Sequence, residues 1–122
     1  MVERISPQTL REWLDSPQPP TVVDVRDDDY IGGHIKGCMH VPSAVFAAKV
    51  DDLRRQLDGK DRIVFHCQYS QQRGPSCARY FASDPATPKT YVLSGGFSNW
   101  AHTFNGEEGH TEAYRPELYA FF

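Results

Sequence analysis

Between Arg62 and Phe81 the chain turns from apolar to polar to helical, and few folds accommodate that order. Arg62-Ile63-Val64-Phe65 reads as a buried β-strand. His66-Cys67-Gln68-Tyr69-Ser70-Gln71-Gln72-Arg73 is a polar loop, and Gly74-Pro75-Ser76-Cys77-Ala78-Arg79-Tyr80-Phe81 reads as the start of a helix. A short loop between strand end and helix start aims its amides at the positive end of the helix dipole, where they cradle a tetrahedral oxyanion. The same field pushes a thiol at the loop's base toward thiolate. Arg73, six positions after Cys67, can grip two oxygens at once. A buried cysteine with an unrelated surface arginine is the plain alternative. The apolar strand, the Gly-Pro helix start and His66 together favour the cradle. Within it Tyr69 and Ser70 occupy the crest, and anion contacts are expected mostly from backbone. His66 is expected beneath the loop.

The rest of the chain alternates strands and helices. Ser6-Pro7 opens a helix, with Ser at the N-cap and Pro at the first position, and Leu10, Trp13 and Leu14 form its apolar stripe. Thr21–Val25 reads as a strand. Asp27-Asp28-Asp29 reads as a solvated loop. Ile31–Gly37 is a glycine-punctuated loop, and Cys38–Val41 a short strand ending at Pro42. Ser43 is placed to cap a second helix carrying Phe46, Val50, Leu53 and Leu57 at helical spacing. Thr90–Leu93 is another strand, and Gly95-Gly96 begins a helix through Trp100. The tail from about Gly106 is polar, then aromatic, and Tyr114, Tyr119, Phe121 and Phe122 are expected to pack back on the body. Such alternation predicts an α/β architecture with a mostly parallel central sheet covered on both faces. Ligands in such sheets bind beyond the carboxyl ends of the strands, where Cys67 sits.

Composition narrows the function. The 122 residues suit one domain over 1–122. A net charge of −3 leaves no electrostatic footprint for nucleic acid, and any phosphate-like ligand must be held by local groups. No stretch is long and apolar enough for a membrane span, and Met1-Val2-Glu3-Arg4 lacks a signal-peptide layout. Three cysteines without Cys-x-x-Cys argue against a disulfide framework and for a reducing cytoplasmic or nuclear setting. Cys77, ten residues after Cys67, reads as a core residue too far along the helix to bond with it. Cys38 reads as a small buried side chain. His34, Cys38 and His40 match no common zinc spacing, and no metal site is expected. Asp24 at a strand end reads as a structural partner, with Arg26 as its candidate. Lys36 and Arg79 either extend a positive rim or are solvated.

Three segments together resemble the rhodanese fold. Val23-Asp24-Val25-Arg26 followed by Gly33-His34-Ile35-Lys36-Gly37 resembles that family's first signature. Leu93-Ser94-Gly95-Gly96-Phe97-Ser98-Asn99-Trp100 resembles its closing Gly-Gly-x-x-x-Trp element. The run His66, Cys67, Arg73, Gly74, Pro75 is most similar to the dual-specificity cell-division-cycle phosphatases, and the chain's size is closest to their compact relatives, which include arsenate reductases. The resemblance implies a three-layer rhodanese-like domain and a cysteine phosphatase. Its nucleophile would be Cys67 and its transition-state cation Arg73, with residues Gln68, Tyr69, Ser70, Gln71, Gln72 and Arg73 around the substrate.

The substrate would be a phosphorylated protein or a small phosphoester, with no cofactor. The alternative is an arsenate reductase that uses glutathione as co-substrate and glutaredoxin as partner. Sulfurtransferases resemble this chain but carry a loop one residue shorter, and a non-catalytic binding module is the remaining reading. Two departures stand out. Gln68 and Gln72 replace glutamates of the larger phosphatases, which leaves no acid in the loop; Glu107 and Glu108 are weak candidates for that role. Val25 replaces their protective back-up cysteine.

Overall fold

The computed structural model describes residues 2–104, 109–115 and 117. Four strands end at one side of a parallel sheet, each returned by a helix or loop: β2 (Thr21–Asp24), β4 (Met39–His40), β5 (Arg62–His66) and β6 (Lys89–Leu93). A further strand, β1 (Glu3–Ile5), pairs in parallel with β6, and the sheet order is β1-β6-β5-β2-β4. All its pairings are parallel, with Val23 opposite Phe65 and Phe65 opposite Val92 across the centre.

Side-chain alternation divides the core into two layers. Val23, Ile63, Phe65 and Val92 face α2 (Phe46–Gln56) and α3 (Arg73–Ala82), and pack with Phe46, Val50, Leu53, Leu57, Ala78 and Phe81. Ile5, Val22, Val64 and Leu93 face α1 (Pro7–Leu14) and α4 (Gly96–Phe104), and pack with Leu10, Phe97 and Trp100. The expected three-layer α/β fold with a parallel central sheet is therefore present. Among the described residues no helix is long and apolar enough to cross a membrane.

Local chemistry explains the ends. Ser6 caps α1 as expected, its side chain accepting from the Thr9 amide at 3.1 Å with Pro7 at the first helical position. Ser43 does not cap α2. A 3-10 turn, Ser43–Val45, intervenes, and the Ser43 hydroxyl donates instead to Asp27 Oδ2 at 2.6 Å. Three strands escape the sequence pattern. Strand β1 is polar and only three residues long, so pairing creates it rather than propensity. Within the glycine-punctuated loop, His34–Ile35 forms β3, an antiparallel ribbon with β7 (Thr111–Glu112). Trp100 Nε1 donates to Thr111 Oγ1 at 2.9 Å and ties that ribbon to α4, which runs past Trp100 to Phe104. Tyr114 packs on Phe97, as expected of the tail; Tyr119, Phe121 and Phe122 lie outside the described residues.

Phe81 is fully buried between Phe65 and α2 and has no room to collapse around. Phe81→Ala is expected to lower unfolding free energy by about 3–5 kcal/mol. Urea titration should show a lower midpoint at unchanged slope.

Candidate active site

Strand β5 ends at His66, and the chain turns at once into the loop that α3 closes at Arg73. The loop is held from below by the start of α4. The Phe97 amide donates to the Cys67 carbonyl at 3.0 Å, and the Ser98 amide to the Gln68 carbonyl at 2.9 Å. This approach requires glycine. Gly96 has φ +63°, and a Cβ there would lie 2.4 Å from the Cys67 oxygen. Gly74 meets the loop from the other side, where a Cβ would lie 3.0 Å from the Cys67 nitrogen. Ser70 takes a left-handed φ of 53°. Its hydroxyl accepts from the Cys67 amide at 3.4 Å and its carbonyl from Arg4 Nη1 at 3.0 Å.

The resulting pocket, about 250 Å³, is lined by Cys67, Tyr69, Gln71, Gln72 and Arg73. Cys67 is buried at its floor, while Tyr69, Gln71 and Gln72 are exposed around it. The N-cap of α3, Gln72, makes no side-chain capping bond. Gln68 and Ser70 do not offer side chains to the mouth. Gln68 is buried with Oε1 accepting from Arg26 Nη1 at 3.2 Å, and Ser70 is buried under the crest rather than shaping access. From these two residues, only backbone remains for an anion.

Below the loop lies a buried polar hub. Arg26, fully buried, donates to the Asp24 carboxylate (Nη2 to Oδ2, 2.6 Å), to the Gly33 carbonyl at 2.8 Å, to the Asp29 carbonyl at 3.1 Å and to Gln68. Burial pushes the Asp24 carboxyl up, but His66 and the hydrogen bonds and charge of Arg26 outweigh it and hold Asp24 below the ordinary carboxylate range. The reading of Asp24 as partner of Arg26 is thus realised.

Arg73 is where sequence reasoning missed most. Its Nη1 and Nη2 donate to the two oxygens of Asp29 at 2.9 and 2.6 Å, and Nη1 also reaches Asp27 Oδ2 at 3.2 Å. Asp27-Asp28-Asp29 is therefore not simply a solvated run: only Asp28 is exposed. Asp27 is fixed by Ser43 and by the Ala44 amide. Burial raises both Asp27 and Asp29, and their hydrogen bonds and the Arg73 charge bring both below the ordinary carboxylate value. The signal available was position: the acidic run directly follows Arg26 in a motif whose glycines return the chain to the loop.

The other cysteines are held as thiols. Burial pushes Cys77 up to about 11, with the charges of Cys67 and Asp27 adding to it. Burial pushes Cys38 up to about 12. His34 and His40 stack on Tyr30, with ring centroids 5.1 and 3.8 Å away. Glu107 and Glu108 lie outside the described residues.

A family model for the rhodanese-like domain matches residues 6–103, which takes in the hub, the loop and the Gly95-Gly96 support. The chain belongs to the rhodanese family. The dual specificity phosphatase ibp1 of Schizosaccharomyces pombe is 35% identical over 86% of this chain and 92% of that one. Arsenate reductase 2.1 of Oryza sativa subsp. japonica is 39% identical over 65% of this chain and 54% of that one. A solved yeast protein tyrosine phosphatase of the rhodanese family superposes with a TM-score of 0.84 at 32% identity, covering 97% of this chain and 96% of that one.

In this rhodanese-like domain His66 carries a pH dependence. It is fully buried, with Nδ1 3.1 Å from the Cys67 carbonyl; a carbonyl only accepts, so Nδ1 holds the proton. Nε2 faces Asp24 Oδ2 at 3.6 Å without a hydrogen bond. Burial lowers the imidazole's pKa, against the opposing pull of Asp24. Because the folded value is depressed, the unfolded chain takes up the proton first. This contribution to stability is complete above about pH 6.5 and is lost as pH falls, by up to about 1.4 kcal/mol per pH unit. His66→Gln should flatten the fall in urea midpoint between about pH 7.5 and 5.5. An unchanged slope would place His66 protonated in the fold.

Proposed function

We infer that this protein is a cysteine-dependent phosphatase that hydrolyses phosphomonoesters, with phosphotyrosine-type aryl esters as its best substrates. The observation that carries the reading is the placement of buried Cys67 in a pocket walled by its own loop, with Arg73 among the lining residues. The phosphatase relative that matches most of both chains supports it. The Cys67 sulfur attacks phosphorus, the S–P bond forms, and the ester oxygen leaves with a proton. Loop amides and Arg73 stabilise the equatorial oxygens. Water then attacks the phosphocysteine, releasing inorganic phosphate and restoring the thiolate.

For Arg73 to reach substrate it must exchange the Asp29 carboxylate for the phosphoryl oxygens. That exchange costs binding energy, and it strips Asp29 of the partner that holds it ionised. With Arg73 gone and a dianion beside it, Asp29 rises in pKa and becomes a candidate proton donor to the leaving oxygen. A second reading, arsenate reduction, rests on the similarity to the rice reductase and on the glutamine-bearing loop, whose Gln72 lies at the pocket. There Cys67 would add to arsenate with loss of water. Two thiol equivalents, one from glutathione, would then be oxidised to a disulfide as arsenic is reduced to arsenite, with glutaredoxin restoring the thiols. Side-by-side turnover of an aryl phosphate, of arsenate with glutathione and glutaredoxin, and of thiosulfate with cyanide decides among the chemistries.

Cys67→Ser should abolish aryl phosphate turnover yet keep the fold and the binding of inorganic phosphate, as read by competition and circular dichroism. Arg73→Lys should lose about 10²-fold or more in kcat/KM, because a point charge cannot replace the fork. Retained turnover in the first, or activity within a few-fold of wild type in the second, would remove that residue from the mechanism.

Asp29→Asn separates clamp from acid. Inorganic phosphate should inhibit several-fold more tightly, since Arg73 no longer has to leave a carboxylate. Turnover of alkyl phosphates should fall more than that of p-nitrophenyl phosphate, whose leaving group needs no acid. Equal losses on both esters would assign Asp29 to the clamp alone.

A further inference from the structure

A groove of about 470 Å³, larger than the catalytic pocket, runs along the face of the sheet that carries α3. Pro75, Arg79 and Ala82 supply one wall from successive turns of α3. Arg4 comes from edge strand β1, Val2 from just before it, and Val92 from β6, where it is the register partner of Arg4. The lining holds two guanidinium groups and no carboxylate. Several other arginines pair with acids: Arg26 with Asp24, Arg54 with Asp51, Arg55 with Asp52, Arg73 with Asp27 and Asp29, while Arg62 donates to the Gln18 carbonyl and lies over Trp13. Among the described residues Arg4 and Arg79 have no such partner. Arg4 donates to the Ser70 carbonyl, and Arg79 Nη2 reaches Ser76 Oγ at 3.5 Å. In a chain of net charge −3 this is a local concentration of uncompensated positive charge.

Its place relates it to the catalytic pocket. The Arg4–Ser70 bond sets one guanidinium against the loop's backbone, and Pro75 follows Arg73 by two residues. The wall from Pro75 to Ala82 is about 10 Å long at 1.5 Å per helical residue, the span of about three residues of extended chain. The groove is thus long enough for about three residues of a peptide continuing from the pocket.

We propose that the groove is a substrate subsite for carboxylate or phosphate groups one to three residues from the phosphotyrosine, in an acidic segment of a phosphoprotein. Arg4 and Arg79 grip the anions, and the partly exposed Val2 and Ala82 receive the aliphatic stems. The proposal rests on the phosphatase reading, and it extends that reading from a reacting group to a substrate sequence.

The test compares three substrates: a phosphotyrosine peptide flanked by Asp and Glu, the same peptide with Asn and Gln, and p-nitrophenyl phosphate. At low salt the wild type should show a KM roughly tenfold lower for the acidic peptide than for its amide twin. Arg79→Glu should erase that difference while leaving kcat/KM on p-nitrophenyl phosphate within about twofold. Ala82→Asp, a change at the groove's surface that spares Arg79, should do the same. Binding of both peptides to Cys67→Ser, read by fluorescence anisotropy, scores the groove apart from turnover.

If wild type leaves every ester untouched yet Cys67→Ser still prefers the acidic peptide in an Arg79-dependent way, the phosphatase reading falls and the subsite stands. Equal wild-type KM and Kd for the two peptides would overturn the subsite. So would Arg79-dependent competition of equal strength from single-stranded oligonucleotide or from vesicles containing phosphatidylserine, since the patch would then be a general anion surface.

Discussion

The buried ion pair of Arg26 and Asp24 is the constraint on which the rest of the structure depends. Both side chains are inaccessible to solvent, and a lone charge in either place would cost about 3–5 kcal/mol. The guanidinium spends its remaining donors on the Gly33 carbonyl, the Asp29 carbonyl and Gln68. One side chain thus ties the end of β2 to the glycine turn, to the acidic segment and to the base of the catalytic loop. Gln68 suits this place because its amide oxygen accepts from Arg26 without adding a second buried carboxylate beside Asp24. The glutamine that makes the loop look acid-poor is, structurally, a neutral linker in the hub.

The site places opposite charges on opposite sides of one arginine. On one side lies the loop, with its backbone amides and the Cys67 thiol. On the other lie Asp27 and Asp29, both ionised, which fix Arg73 in a definite orientation without ligand. In the proposed reaction an oxyanion must win the fork from a carboxylate. This favours dianions, which offer more charge than Asp29, and it disfavours weakly charged competitors. Cys38 and Cys77, held protonated by burial, offer no rival nucleophile.

Much of this was legible in the chain itself, because the deciding features are local. The apolar run of β5, the six-residue step from Cys67 to Arg73 and the Gly-Pro helix start define a strand, a loop and a helix in contiguous sequence. Gly95-Gly96 carries a contact that no larger residue could make, and the helical spacing of Phe46, Val50, Leu53 and Leu57 marks one buried face. Such features are set by backbone sterics and hydrophobic period, and those act over a few residues.

What the sequence by itself determined, then, is the parallel α/β class and the contiguous strand, loop and helix that carry Cys67 and Arg73. Tertiary structure alone decided which partners these groups face. Arg73 meets Asp29 across 44 positions of chain, Arg4 meets Ser70 across 66, and β1 becomes a strand only by lying against β6. Ser43 abandons a helix cap for Asp27, and a polar crest residue, Ser70, turns its hydroxyl inward. Each of these is a choice between water and a distant polar group, and no local pattern encodes it. The choice is made by which surfaces the sheet brings within 3 Å of one another, where a desolvated donor without an acceptor is too costly to leave.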